Sequence, residues 1–272
     1  MEYLTTLLKV SRPIGWFIPP LVFLIGLLYS GARLTPLSIL QALLLSFPYC
    51  IFLFGINDVY DYESDKLNPR KKSVLDLKYH SLVKRISFVV VLLLILISLV
   101  TLNISNILAT VLLIFFSYFY SAPPLRFKER PPFDSFSNGA LFFIVFSIGF
   151  SFGKDVLSIP LKIYFVAMCV MGIHSFSTIM DYSADQKAGH KTFALVFGKR
   201  ATSLFAFILF VLTLLFSKIE RISINYYFIF CSLLFLITSI FPSERLAFLF
   251  FKLICMGFII TAVIFLISYM PL

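Results

Sequence analysis

Charge is scarce in this 272-residue sequence: Asp, Glu, Lys and Arg together make up 13% of it, about half their share in an ordinary soluble domain. Hydrophobic residues account for 60%, and the mean hydropathy is +0.98. No soluble core could hide that much apolar surface, so a soluble domain is excluded and lipid must cover the rest. Metal-binding side chains of the soft kind are equally sparse. There are 3 histidines and 4 cysteines, and Cys50, Cys169, Cys231 and Cys255 lie scattered in apolar stretches with no C-x-x-C or C-x-x-H spacing. A disulfide framework and a zinc site are thereby excluded. Acids are outnumbered, 13 against 23 bases, for a net charge of +10. In a soluble chain such a balance would point to nucleic acid. Here the bases sit between apolar runs, so membrane orientation and phosphate binding explain them, and no nucleic-acid partner is expected. A small-residue cleavage site is also missing: the apolar stretch from Ile14 to Tyr29 runs through Gly31-Ala32-Arg33 into another long span. It reads as a first membrane helix rather than a removable signal.

What the chain does have is long apolar runs. Hydropathy predicts nine spans, at 14–31, 36–57, 83–102, 104–120, 136–153, 159–180, 201–217, 223–241 and 246–269, each near the ~20 residues that cross a hydrocarbon core. The expected architecture is an all-α, polytopic nine-helix bundle with a central cavity, a single transmembrane domain over residues 1–272. Pro19, Pro20 and Pro48 fall inside these spans and predict kinks. With the N-terminus cytoplasmic, seventeen of the 23 Lys and Arg residues fall on the inner side, which sets the orientation in the cell membrane.

The acids are placed more selectively than the bases. Asp58, Asp61, Glu63 and Asp65 follow span two, and Asp181 and Asp185 follow span six, both on the predicted cytoplasmic side. Asn57, Asp61 and Asp65 are spaced i, i+4, i+8 and share one face of a continuing helix, with Asp58 at its border. Asp181 and Asp185 repeat the i, i+4 pair. Like charges at that spacing repel, and carboxylates at a membrane edge are costly, so a cation is expected between them. Oxygen ligands without His or Cys suit Mg²⁺ completed by substrate phosphates. The recurrence four spans apart hints at an internal duplication.

Bases flank both clusters: Arg70, Lys71 and Lys72 after the first, Arg126 and Lys128 in the loop between, Lys187 and Lys191 after the second. Metal-binding acids beside phosphate-binding bases make a metal–diphosphate site. The stiff segment Tyr120-Ser121-Ala122-Pro123-Pro124-Leu125 ends on Arg126 and singles that residue out. A transporter would carry its charges near mid-membrane; here they gather at one face, which favours an enzyme.

Asn57-Asp58-x-x-Asp61-x-x-x-Asp65 resembles the first aspartate-rich motif of the UbiA superfamily of intramembrane prenyltransferases, and Asp181-x-x-x-Asp185 resembles the second. The likeness extends over essentially the whole chain. Phe54-Gly55-Ile56-Asn57-Asp58-Val59-Tyr60-Asp61, Asn68-Pro69-Arg70-Lys71, Tyr120 to Lys128, Asp134 to Gly139, His174-Ser175-Phe176 and Ala188-Gly189-His190-Lys191-Thr192 are similar to the carotenoid branch, the lycopene elongases. One departure matters. Quinone-pathway members carry Tyr-x-x-x-Lys after span four; here Pro124 stands in the lysine position, and the cations come at Arg126 and Lys128. An aromatic acceptor is disfavoured, and the phosphate contact falls to either cation.

The resemblance implies that Asn57, Asp58, Asp61, Asp65, Asp181 and Asp185 hold Mg²⁺ around an allylic diphosphate. Asp61, Asp181, Arg126 and Lys128 would be the catalytic residues. Asn57, Tyr120, Arg126, Lys128, Lys191 and Arg70 would bind substrate. It further implies dimethylallyl diphosphate as donor and lycopene or a related carotenoid as acceptor, with a quinone precursor or an ether lipid as the alternative, and Tyr60, Tyr118, Tyr120 and Phe54 offering aromatic faces to a prenyl cation. His174 could act as a base, although a lone helical histidine more commonly packs.

Overall fold

In the computed structural model, residues 2–66 and 75–268 are described. All of their regular structure is helical: α1 (Glu2–Val10), α2 (Ile18–Tyr29), α3 (Pro36–Leu44), α4 (Phe47–Tyr60), α5 (Tyr62–Asp65), α6 (His80–Val100), α7 (Ile104–Ser121), α8 (Phe133–Phe150), α9 (Leu161–Ser177), α10 (Tyr182–Ala188), α11 (Phe193–Phe197), α12 (Lys199–Phe216), α13 (Ile222–Ile240) and α14 (Glu244–Ile267). Seven stretches are long and apolar enough to cross a membrane, and two bent pairs, α1 with residues 13–29 and α9 with α10, raise the number to nine if each is one span. The chain is an all-α integral membrane protein.

Two expectations about the spans need correction. Pro19 and Pro20 do not kink a helix; they occupy the first turn of α2, where a missing N–H costs nothing. The bend of 61° comes earlier, at Arg12, whose φ of +50° is left-handed. Span two is present as one stretch over Pro36–Tyr60, with a turn at Leu45-Ser46 just before Pro48. Span six is not continuous over 159–180: α9 ends at Ser177, and the chain turns 70° before α10.

Residues 1–126 with 144–159 form one compact unit, and 127–143 with 160–272 form a second. In the first unit, α4 packs along α6 and α7, and α2 crosses the second half of α8 at backbone contact. A Cβ at Gly26 would strike the Phe146 carbonyl, and one at Gly149 the Phe23 carbonyl, so the crossing exists because both residues are glycine. At the end remote from Asp61, Gln41 and Asn106 exchange side-chain hydrogen bonds at 2.9 and 3.2 Å. Asn106 also donates to Ser151 Oγ at 3.0 Å, and Asn103 caps α7 while donating to the Ser151 carbonyl at 2.8 Å. Each of these polar groups is satisfied inside protein, as lipid demands.

In the second unit, α12 packs between α9 and α13 around Phe176, Phe210, Phe228 and Phe235. Cys169 and Cys231 are buried in this core and serve as packing residues. Thr213 takes the Cys169 thiol as a donor at 3.1 Å.

Candidate active site

The first acidic cluster sits where α4 gives way to α5. Asp61 has φ −100° and ψ 2°, the sparsely populated bridge region in which many active-site residues lie. The chain bends there without losing its helical register: Asp61 N–H donates to the Asn57 carbonyl at 2.9 Å, and Asp65 N–H to the Asp61 carbonyl at 2.8 Å. Asn57, Asp61 and Asp65 therefore keep the expected i, i+4, i+8 relation across the bend. Asp61 and Asp65 are buried, at 6% and 8% exposure, and buried carboxylates require positive partners.

One partner of Asp61 is Arg126. Its Nη2 lies 3.5 Å from Asp61 Oδ1, while Nη1 donates to the carbonyls of Tyr60 at 3.4 Å and Ser121 at 3.3 Å. Arg126 holds a left-handed φ of +42°, a strained state for a bulky residue that surrounding contacts must impose. Asp58 is engaged from the other side. Arg12 reaches its Oδ1 at 2.8 Å and lies 4.5 Å over the Phe54 ring. Arg12 was not anticipated as a site residue, because the pair is separated by 46 positions and nothing local announces it. Tyr120 ends α7 half-buried. Arg70, with Lys71 and Lys72, lies outside the described residues.

The second cluster belongs to the other unit. Asp181 has φ −101° and ψ 6° and precedes α10, and Asp185 N–H donates to its carbonyl at 2.8 Å. Gly189, at φ +72°, closes α10 in the left-handed conformation that only glycine adopts cheaply and turns the chain toward Lys191. Neighbours hold the motif from outside. Ser183 donates to Glu244 Oε1 at 2.5 Å, Lys199 reaches the same oxygen at 2.8 Å, and the Lys199 ammonium stands 4.3 Å over the Tyr182 ring.

The segment bearing Lys191 is pinned on both flanks. His190 Nδ1 lies 2.9 Å from Glu129 Oε1, Phe193 N–H donates to Asp134 Oδ2 at 2.9 Å, and Ala194 N–H donates to Thr178 Oγ1 at 3.0 Å. Lys191 itself is exposed and Lys128 half-buried. His174 pairs with Ser135 Oγ at 3.3 Å and so links α9 to α8, and Asn138 donates to the Asp134 carbonyl at 2.9 Å within α8. Asp134, Glu129 and Glu244 are the acids that sequence reasoning passed over. A signal was available for Asp134 alone, in the segment Asp134 to Gly139 that carries part of the family likeness.

Three buried polar atoms of these segments have no hydrogen-bond partner among the described residues: Asn57 Oδ1, Ser121 Oγ and Thr192 Oγ1. Buried acceptors and hydroxyls are ordinarily paired, so orphans on both acidic motif flanks mark where ligand atoms fit. Among the described residues no group of three His, Cys, Asp or Glu side chains is gathered to hold a metal. Mg²⁺ is held through one or two carboxylates completed by other oxygens, chiefly those of substrate phosphates, and the Asn57 oxygen near Asp61 and Asp65 in sequence fits that donor set.

Comparison with known proteins bears on the same residues. The profile of the UbiA prenyltransferase family matches residues 17–256. A lycopene elongase/hydratase of Haloarcula japonica is 35% identical over 204 residues, 72% of this chain and 68% of that protein. Among solved structures, a digeranylgeranylglyceryl phosphate synthase superposes with TM-score 0.73 at 24% identity, covering 100% of both chains. A UbiA homologue from Archaeoglobus fulgidus bound to DMAPP and Mg²⁺ superposes with TM-score 0.64 at 24% identity, covering 95% of this chain and 99% of that one.

Proposed function

The chain belongs to the UbiA prenyltransferase family and is a prenyltransferase; from that premise we propose that it transfers a dimethylallyl group from the diphosphate to lycopene or a related carotenoid, releasing pyrophosphate. The observation that carries this reading is the unpaired Asn57 oxygen beside the buried carboxylates of Asp61 and Asp65. Such a set offers oxygen donors suited to a divalent cation and its phosphate ligand. The 35% identity to a lycopene elongase/hydratase supports the acceptor, and the DMAPP and Mg²⁺ of the Archaeoglobus fulgidus homologue support the donor and the metal.

Asn57, Asp61 and Asp65 from the first motif, and Asp181 and Asp185 from the second, are the proposed Mg²⁺ ligands, with Asp58 beside them under the hold of Arg12. When bound, Mg²⁺ supplies positive charge to the departing pyrophosphate. The residues do the remainder. Arg126 presents a planar fork of donors that can leave Asp61 and the Tyr60 and Ser121 carbonyls for phosphate oxygens. Lys128, Lys191 and Arg70 add charge to the same diphosphate. As the C1–O bond breaks, its electron pair leaves with the pyrophosphate, and the allylic cation is held by aromatic faces, of which Tyr60, Tyr118 and Tyr120 are the candidates. A terminal double bond of the acceptor supplies the electrons of the new C–C bond. Loss of a proton, or addition of water, then quenches the cation on the product. Both units act in this scheme as one prenyltransferase domain, with its active face on the cytoplasmic side of the cell membrane.

Expression in a lycopene-accumulating bacterium tests the reading. Pigments heavier by one or two C5 units are the expected result, and unchanged lycopene beside active transfer to an ether lipid or quinone precursor would replace the acceptor.

A further inference from the structure

A groove of about 350 Å³ opens in the first unit between α4, α6 and α7, a volume within the range of small-ligand pockets. Its walls are mostly apolar, and Phe88 at its edge is 69% exposed, so on an integral membrane protein it opens toward lipid. Polar groups collect at one end. Lys84 lies there, its ammonium 5.7 Å over the Tyr60 ring. Tyr60 and Tyr118 join their hydroxyls at 3.0 Å. Ser87 is 2% exposed, lines the groove, and its Oγ has no partner.

We propose that this groove binds one anionic phospholipid, with a headgroup phosphate on Lys84, a glycerol ester oxygen on Ser87 Oγ and an acyl chain along Ile114 and Phe88. Lys84 and Ser87 share a face of α6, three residues and about 4.5 Å apart along the axis. That is the order in which a phospholipid presents phosphate, ester and chain. A pure polyene offers nothing to the lysine or to the unpaired hydroxyl. A zwitterionic lipid satisfies the hydroxyl but brings its own cation to Lys84. The occupant also touches the catalytic end of the unit, because Tyr60 gives its ring to the groove and its carbonyl to Arg126.

The test is native mass spectrometry of the purified full-length protein in detergent, mixed with dioleoylphosphatidylglycerol or dioleoylphosphatidylcholine. One phosphatidylglycerol per chain is expected to be retained, about five-fold in preference to phosphatidylcholine, the preference one basic contact provides. Lys84→Gln should equalise the two lipids. Ser87→Leu, which fills the groove, should lower retention of both; Ile114→Phe fills it from α7 and serves if the first variant does not fold. Equal retention of the two lipids by the wild type, or unchanged retention in all three variants, would overturn the proposal. Displacement of the lipid by added geranylgeranyl diphosphate would also overturn it and assign the groove to the prenyl donor. The readout is binding without turnover, so it stands or falls apart from the catalytic reading.

Discussion

Asp61 and Asp181 adopt the same backbone state: φ −100°, ψ 2° in one and φ −101°, ψ 6° in the other. Each carbonyl accepts the N–H of the aspartate four residues on at 2.8 Å, each is followed by a tyrosine that opens a short helix, and each tyrosine carries a lysine 4.3 Å over its ring, Lys66 on Tyr62 and Lys199 on Tyr182. The sequence repeat is brief, Asp-Tyr-x-x-Asp, yet the repeat of conformation is full. One copy lies in each compact unit.

If the two turns present metal ligands, Asp61→Ala and Asp181→Ala should each lower turnover by about 10³-fold or more, the scale of losing a group aimed at developing charge. Pyrophosphate release measures the effect, and an unchanged elution profile in detergent shows that the protein remains folded. Near-normal rates in either variant would remove the metal assignment.

Arg126 is held by one carboxylate and two carbonyls, and the proposed reaction hands it to phosphate. Arg126→Ala should raise the KM for the diphosphate about ten- to hundred-fold, the value of a charged hydrogen bond. Arg126→Lys should restore only part, because an ammonium lacks the planar fork. Identical steady-state constants in the alanine variant would transfer the role to Lys128.

Asp134 does not need to touch substrate to matter. Asp134→Ala leaves the Phe193 N–H without its acceptor, a loss of about 1–3 kcal/mol, and frees the segment that carries Lys191. The expected outcome is a lower melting temperature together with a raised donor KM. In Asp134→Asn the amide oxygen can still accept, and both values should return toward the wild type. A stability loss with no change in KM would confine Asp134 to packing.

Gly26 and Gly149 test the crossing of α2 and α8. Gly26→Ala forces the new methyl against the Phe146 carbonyl, and overpacking of this kind costs about 1–3 kcal/mol. Thermal denaturation in detergent should shift down by several degrees, whereas Gly31→Ala, where a Cβ meets nothing but φ is +80°, reports backbone strain alone. An unshifted Gly26→Ala would mean the helices can part without cost.

Much of this was legible in order of periodicity. Apolar runs gave the spans, and the i, i+4, i+8 spacing of Asn57, Asp61 and Asp65 survived the bend because the carbonyl–amide bonds continue through it. The break of span six was hidden, since Ser175-Phe176-Ser177-Thr178-Ile179-Met180 contains neither glycine nor proline. Side-chain hydroxyls mark the break instead: Ser177 Oγ bonds the His174 carbonyl at 2.6 Å and Thr178 Oγ1 the Ser175 carbonyl at 2.7 Å, local bonds that bend helices. The bend at Arg12 lies just before the predicted first span, where Pro13 and Gly15 follow it. Arg12, Glu129 and Glu244 escaped notice because their partners lie 45 to 61 positions away, and charge alone cannot say which distant residue will be met.

The first unit is fastened differently at its two ends. Gln41, Asn103, Asn106 and Ser151 tie the far end with neutral amides and hydroxyls, while Arg12–Asp58 and Arg126–Asp61 tie the near end with ions. Counter-ions screen the more exposed Arg12–Asp58 pair most and the buried Asp61 pair less, and leave the neutral bonds untouched. Rising salt should therefore loosen this half of the protein from one side only, the side that carries the proposed site, and leave its opposite rim as a fixed base.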